Sequence, residues 1–332
     1  MTTIELKPLG KAGRLFWTTA QLLGLVTMAV FIIGFFARPD TALNVLWNAA
    51  IPLLPATFLI NPALWRNSCP LAKLNMLPNR FAGRRVATRH ITHAAGAVGI
   101  VLFVVMVPAR RFLFNTDGVA LGVTVILIAV AALLLGTLFD AKAGFCNTFC
   151  PVLPVERLYG QRPLVDIGNA HCSICTLCTK TACIDLAPTK SVALTLGRSN
   201  GAHAWLHTVY GVFAASFPGF VVGYNLTPDG PLSTAGAVYL QVAAWSAGSF
   251  VVTYLVVRGV GLSAEVTTLT LAGTALALYY WYAAPVLTTA YRLPVEGTTA
   301  IRGAAFVLIA VWSWRALAQR SANGRQVTEP TS

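Results

Sequence analysis

Seven cysteines are the residues of this chain whose type and spacing could do chemistry. The tightest run is Cys172, Cys175 and Cys178, three thiols at three-residue spacing. Zinc sites usually pair one Cys-x2-Cys with a distant second pair, whereas this spacing is typical of the pattern C-x2-C-x2-C-x3-C-P that binds a [4Fe-4S] cluster. Cys183 follows after four residues, with Ile184 where proline is usual. We predict Cys183 as the fourth ligand; the alternatives are a zinc knuckle and unmetallated thiols.

The other three cysteines occur at two Cys-Pro dipeptides, which begin at Cys69 and Cys150 and are offset by 81 residues. The second copy carries a further cysteine, Cys146, and Trp65 occupies the corresponding place in the first copy. A proline that merely ends a helix would explain the dipeptides but not two cysteines at matched positions. We interpret the first half of the chain as a duplicated unit of two membrane spans and one Cys-Pro loop.

Two all-cysteine [4Fe-4S] clusters would need eight cysteines, so Cys69, Cys146 and Cys150 remain after one cluster is built. They could hold a second cluster with one iron open or bound by another group, form a thiol redox site, or supply ligands to the first cluster. Spacing alone leaves these alternatives open. We predict a second redox-active site near the membrane surface.

The elements that must position these cysteines are membrane helices. Hydrophobic residues make up 56% of the 332 residues and charged residues only 11%, too few to cover a soluble globule. We therefore predict an all-α integral membrane protein with about eight transmembrane helices, each long enough to cross about 30 Å of hydrocarbon. The predicted spans are residues 16–36, 43–60, 91–108, 119–139, 205–225, 235–257, 267–284 and 299–314.

The basic residues predict the orientation of these spans. Nineteen of the Lys and Arg residues fall on one face and four on the other, which places the first face in the cytoplasm. The net charge of +13 is thereby explained, and we expect no nucleic-acid partner. All seven cysteines lie in loops of the cytoplasmic face, where a reducing compartment disfavours disulfides and favours metal ligation. We expect a multi-pass protein of the inner membrane with both termini in the cytoplasm.

The predicted organisation has five parts. Residues 1–15 form a cytoplasmic N-terminus, and residues 16–139 form a four-helix membrane half that contains the first Cys-Pro loop, 61–90. Residues 140–204 form a cytoplasmic iron–sulfur loop, residues 205–316 a second membrane half, and residues 317–332 a disordered tail.

Two histidines near the ends of predicted spans, His93 and His207, form a further candidate site. Facing histidines on two helices could ligate a b-type haem. We favour the simpler interpretation, in which histidines at the headgroup boundary share hydrogen bonds or contact lipid phosphate.

The cysteine motifs resemble those of the membrane-bound polyferredoxins related to NapH, the quinol-oxidising subunit of periplasmic nitrate reduction, and to the C-terminal region of NosR. The likeness covers roughly residues 16–190 and is carried by the two Cys-Pro loops and the cysteine run at 172–183. This chain departs from the family pattern at Trp65, has only one ferredoxin run where relatives often have two, and carries four last spans outside the match. The resemblance implies a small ferredoxin-like segment in the cytoplasmic loop and electron transfer between the quinone pool, the clusters and a redox partner protein.

Together these features predict an iron–sulfur electron-transfer protein of the lipid bilayer, similar to a quinol dehydrogenase component, with one or two [4Fe-4S] clusters. Its donor would be quinol or a cytoplasmic reductant. A reductase or metallocentre assembly factor acting at Cys69, Cys146 and Cys150 is the first alternative. A transporter with a regulatory cluster is the second, and it would need polar groups or broken helices at the bilayer midplane.

Overall fold

The fold was obtained as a computed structural model that describes residues 10–81, 85, 89–139, 142–167, 183–185, 188–196 and 203–326. Cys172, Cys175 and Cys178, three of the predicted cluster ligands, lie outside these residues. The described chain is built from helices and turns without a β-strand, and its one sheet-like pairing is an isolated bridge between Arg85 and Phe139. The prediction of an all-α protein is confirmed for this part of the chain.

Thirteen α-helices follow one another in the described residues. They are α1 (Lys11–Ala37), α2 (Pro39–Val45), α3 (Ile51–Ile60), α4 (Pro62–Ser68), α5 (Pro70–Met76), α6 (Arg89–Ala109), α7 (Gly118–Leu138), α8 (Leu153–Tyr159), α9 (Pro188–Leu196), α10 (Val209–Leu226), α11 (Ala235–Val260), α12 (Ala264–Ala290) and α13 (Glu296–Gln326). Wider π-helical turns connect α2 to α3, continue α6 and precede the second Cys-Pro dipeptide; they are Leu46–Ala50, Arg110–Phe114 and Phe145–Phe149.

Seven helical stretches within the described residues are long and apolar enough to cross a membrane. The chain is therefore a multi-pass membrane protein. These stretches are Lys11–Ala37, Pro39–Ile60, Ile91–Phe114, Gly118–Leu138, Val209–Leu226, Leu232–Val260 and Glu296–Ala318. They coincide with seven of the eight predicted spans.

The eighth predicted span, 267–284, corresponds to α12, which is long enough to cross the bilayer but less apolar than the others. Threonines occupy many positions in its first half, and four consecutive aromatic residues follow, Tyr279 to Tyr282. α12 packs against both α10 and α13, and Leu276 and Ala284 are among its fully buried residues. A helix that packs against protein on part of its surface does not need the all-round apolar surface of a lipid-facing helix.

The last helix departs from the sequence prediction at its end. We expected a disordered tail from residue 317, but α13 continues to Gln326 because Ala, Arg and Gln are strong helix formers. Near the other end of α13, Arg302 lies 3.8 Å from the ring centroid of Trp281 and donates to its carbonyl oxygen. These contacts provide partners for the guanidinium of Arg302, the one basic residue predicted inside a span.

The short helix α8 joins the two halves of the protein. The hydroxyl of Tyr210, at the start of α10, donates to the carbonyl of Pro154 at 3.1 Å. Just beyond α8, the carbonyl of Arg162 accepts a 2.7 Å hydrogen bond from the indole of Trp312. The second half thus packs against the segment that follows the second Cys-Pro dipeptide, and it holds that segment in place.

Candidate functional site

The two Cys-Pro dipeptides adopt the same backbone conformation. Cys69 has φ −60° and ψ 124°, and Cys150 has φ −59° and ψ 121°. Each cysteine ends one helical segment, and a proline follows it near the start of the next. The residue before proline is driven out of the α region into extended backbone, which explains why both helices stop at the cysteine. We refer to the two sites as the first and second Cys-Pro junctions.

Each junction packs against a glycine at the middle of a long helix. Gly24 is the central residue of α1, and a Cβ there would overlap the carbonyl oxygen of Ser68. Gly99 is the central residue of α6, and a Cβ there would lie 3.1 Å from the carbonyl oxygen of Cys150. Small residues permit this close backbone approach between membrane helices. The junctions, predicted in loops 61–90 and 140–204, fold back between helices in the structure.

The structure brings Cys69 and Cys146 into one buried cluster, and the half-buried Cys150 packs against it. Ala72 of α5, Ala132 of α7 and Phe145 complete the buried part. Trp65 packs on the same cluster, at the repeat position where a fourth cysteine would stand. The three cysteines outside the run at 172–183 therefore form one group, which we call the thiol cluster.

Burial and charge act in opposite directions on the thiol cluster. Cys69, Cys146 and Cys150 are not in disulfides. Burial raises the pKa of all three thiols, that of Cys150 to about 12. The guanidinium of Arg66 acts against burial at each of them by favouring the thiolate. Burial outweighs this effect at all three thiols, so Arg66 limits the rise in their pKa without reversing it.

Arg66, in α4, is the centre of a buried ionic network beside the thiol cluster. Its guanidinium donates to a carboxylate oxygen of Glu156 at 2.8 Å and to one of Asp185 at 2.6 Å. It also donates to the side-chain oxygen of Asn147 at 2.7 Å and to the carbonyl of Cys146 at 3.4 Å. One side chain from the first repeat thereby holds both the second repeat and the segment around Asp185.

Lys142 is the second cation of this network. Its ammonium donates to a carboxylate oxygen of Asp185 at 3.1 Å and to the carbonyl of Arg66 at 3.0 Å. The four charged side chains are between 0% and 4% exposed, so each charge depends on its partners. Burial alone would raise the pKa of the Asp185 carboxyl, but Arg66 and Lys142 lower it below its usual range. The pKa of Glu156 is raised by burial, which Arg66 offsets only in part.

Cys183 is the one member of the predicted four-cysteine set that lies in the described residues, and it is buried. The side-chain amide of Asn147 donates to its sulfur at 3.3 Å. Asn147 belongs to the turn between Cys146 and Cys150, so the end of the cysteine run is held against the second Cys-Pro junction. Sequence spacing placed Cys183 in a separate site; the structure puts it next to the thiol cluster.

The donor set is of a kind that binds metal, because cysteine thiolates ligate both zinc and iron–sulfur clusters. Among residues with described positions, no three cysteine, histidine or carboxylate side chains converge enough to hold a single metal ion. Cys69, Cys146 and Cys150 form one group, Cys183 lies beside it, and Arg66 and Lys142 are nearby.

The two candidate haem ligands lie in different cavities. His93 lines a small cavity between α6, α8, α9 and α10, whereas His207 lines a neighbouring groove and contacts the ring of Tyr254. The haem interpretation of this pair stays a prediction.

Sequence reasoning missed the ionic network. It counted Arg66 and Lys142 only as indicators of membrane orientation, and it did not consider Glu156, Asp185 or Asn147. A signal was present, because the chain has only 11 acidic residues, and one follows a Cys-Pro dipeptide while another follows Cys183. Acidic residues placed so close to candidate ligands in an apolar chain indicate a buried ion pair.

No protein-family model, curated protein or solved structure matches the chain. The two Cys-Pro junctions can be compared with each other within the chain. Their likeness extends from the matched dipeptides to the matched backbone angles and the matched glycine contacts.

Proposed function

We propose that this protein is a membrane-bound iron–sulfur protein that relays electrons between quinol or a cytoplasmic reductant and a redox partner. One observation carries the proposal: three cysteines from two repeats form a single buried group, and Cys183 from the cysteine run is held against it by Asn147. Incidental cysteines would have no reason to gather from three separate parts of the chain.

The chain's own residues provide what such a site needs. Cys172, Cys175, Cys178 and Cys183 would bind the first cluster, and Cys69, Cys146 and Cys150 would form the second redox site. An iron–sulfur cluster, when bound, supplies one-electron chemistry at a potential set by charge, burial and hydrogen bonds to sulfur. Arg66 contributes positive charge, Asn147 a donor to sulfur, and Ala132 and Phe145 exclude water.

The buried network also ties the segment that carries Cys183 to the thiol cluster. Asp185 lies two residues after Cys183 and is bound by both Arg66 and Lys142. Because these cations come from the two repeats of the first half, the end of the cysteine run cannot shift without breaking buried ion pairs. A short, fixed path between redox groups is what electron relay requires.

Anaerobic purification in detergent, followed by quantitation of iron, acid-labile sulfide, zinc and haem, tests the proposal. We expect about four iron and four sulfide per chain if the thiol cluster acts without iron, and about seven or eight iron if it holds a second cluster. Stoichiometric zinc without sulfide would contradict the proposal.

Cysteine variants separate the two sites. Cys183→Ala should lower iron and sulfide even if only the first cluster is present. Cys146→Ala should lower them only if the thiol cluster holds iron. If Cys146→Ala keeps its full iron content but loses function, the thiol of Cys146 is needed without iron. That result would favour the reductase or assembly-factor alternative.

A further inference from the structure

A small cavity of about 150 Å³ lies between α6, α8, α9 and α10. His93, Arg157 and Tyr210 contribute polar groups to its wall, while Ile100 and Leu153 are among its apolar lining. Arg157 is buried, and burial lowers the pKa of its guanidinium. The cavity is large enough for one six-membered ring, since an engineered apolar cavity of similar volume binds benzene.

The cavity adjoins a larger apolar groove of about 780 Å³ along α6, α10 and α11. Ile100 and Val209 line both spaces, so the two are neighbours. Val104, Val212 and Val251 line the groove and expose a large part of their side chains, as lipid-facing residues of a membrane protein do. The groove thus connects the small cavity with the bilayer.

The cavity also lies beside the second Cys-Pro junction. Leu153, which lines the cavity, donates its backbone N–H to the carbonyl of Cys150 at 3.2 Å. Gly96 lines the cavity one turn before Gly99, the glycine that contacts this junction. The cavity therefore shares a wall residue, Leu153, with the second Cys-Pro junction.

We infer that this cavity binds the headgroup of an isoprenoid quinone or quinol, with the tail in the apolar groove. A quinone ring is of the right size, is largely apolar, and carries oxygen atoms that can accept hydrogen bonds from a guanidinium such as that of Arg157 or an imidazole such as that of His93. The inference deepens the proposed function, because it gives a place to the lipid-soluble donor. It concerns binding and does not depend on the direction of electron flow.

A phospholipid is the main competing occupant. Its phosphate group needs water or several charged donors around it, whereas most of this cavity's wall is apolar and its lining contains a single Arg and no Lys. The groove could accept an acyl chain as well as an isoprenoid tail, so the headgroup decides between the two ligands.

Photolabelling with an azidoquinone in nanodiscs tests the inference, with peptide mapping as the readout. We expect label on α6 and α10 that decylubiquinone displaces and that dioleoylphosphatidylglycerol does not. Displacement by the phospholipid alone, or label spread evenly over lipid-facing helices, would overturn the quinone site.

Gly96→Leu is the blocking variant, because a Cβ at Gly96 meets nothing within 4 Å and the added side chain can enter the cavity without moving the backbone. We expect its specific labelling to fall about tenfold or more. Gly248→Leu is the matched control, since Gly248 is also helical, also open at its Cβ and lines a different apolar groove. Gly96→Ala should have an intermediate effect, and equal labelling of Gly96→Leu and Gly248→Leu would contradict the inference.

Iron and sulfide measured on the same samples distinguish the two proposals. Specific labelling of a protein without iron would support the cavity and contradict the electron-relay function. A protein with a full iron content but no displaceable label would support the relay and contradict the cavity.

Discussion

At the scale of single residues, the candidate site depends on the contacts of Arg66. Its guanidinium is shared between Glu156, Asp185 and Asn147, and all three partners come from parts of the chain far away in sequence. Such a network is costly to break from one side. Removing one partner leaves other charges buried without compensation, whereas replacing all members by apolar groups need not destabilise the protein.

Arg66→Gln should therefore lower the free energy of unfolding by about 3–5 kcal/mol, the usual cost of an uncompensated buried charge. Unfolding in mixed detergent micelles, or thermal unfolding as a relative scale, measures the loss. Arg258→Gln is the control, because Arg258 is exposed and contacts only the side chain of Tyr254 among the interactions seen. Equal stability of the two variants would show that the network contributes nothing.

Asn147 has a different role, because its amide donates to the sulfur of Cys183. A donor to a ligand sulfur stabilises the reduced, more negative form of a cluster, so Asn147→Ala should make the reduction potential more negative by tens of millivolts, at about 59 mV for each 1.4 kcal/mol. An EPR-monitored redox titration measures the shift. Asn225→Ala, which removes an amide that caps a carbonyl in α10, should leave the potential unchanged. An unchanged potential in Asn147→Ala would rule out Asn147 as a positioning residue.

At the scale of helices, close packing at the two junctions depends on glycine. Besides Gly24 and Gly99, Gly136 of α7 lies against the backbone of Asn75, just beyond the first junction. These contacts bring α1, α6 and α7 against the segments that carry cysteine. A methyl group at any of them would push a junction away from its helix.

We expect Gly24→Ala and Gly136→Ala to lower stability by about 1–3 kcal/mol, the range for overpacking a close contact. Gly248→Ala is the matched control, because a Cβ there meets nothing within 4 Å and alanine is the better helix former by up to about 1 kcal/mol. Thermal unfolding in detergent compares the three variants. Similar melting temperatures for Gly136→Ala and Gly248→Ala would contradict the close packing described here.

The sequence predicts the helical elements well and their ends poorly. Long apolar runs located the seven stretches of the described chain that are apolar enough to cross a membrane, because lipid requires continuous apolar surface on the chain that crosses it. It could not predict that α6 continues through a π-helical turn to Phe114 or that α13 continues to Gln326, since neither extension changes the apolar pattern. The matched Cys-Pro dipeptides predicted a repeat, but only the structure places each junction against a central glycine.

At the scale of the whole molecule, the number of membrane crossings decides on which side each terminus lies. Seven stretches of the described chain are apolar enough to cross, and α12 is long enough but is rich in threonine and buried between α10 and α13. Hydropathy alone would leave α12 out. We predict from the sequence that α12 also crosses, which would make eight crossings.

Eight crossings place both termini on the same side, and seven place them on opposite sides. From the distribution of Lys and Arg we expect both termini in the cytoplasm. Fusions of green fluorescent protein and alkaline phosphatase to the C-terminus and to the loop after Val260 test this. Fluorescence without phosphatase activity at both places is expected. Phosphatase activity at the C-terminus alone would mean that α12 and α13 together cross only once.

The sequence could predict only part of the candidate site, and the reason is physical. Cysteine spacing is a local property, so the run at 172–183 and the Cys-Pro dipeptides could be recognised in the sequence. The joining of Cys69 with Cys146, and of Cys183 with Asn147, depends on how helices from both repeats pack. The same holds for the ion pairs of Arg66, whose partners lie about 80 to 120 residues away.

EPR spectroscopy of the anaerobically purified, dithionite-reduced protein tests the central claim most directly. The account predicts a reduced iron–sulfur signal that is weakened in Cys183→Ala, or lost if the protein holds one cluster, and that is altered in Arg66→Gln while the protein remains folded. Absence of any such signal in folded wild-type protein that contains neither iron nor sulfide would contradict the electron-relay function.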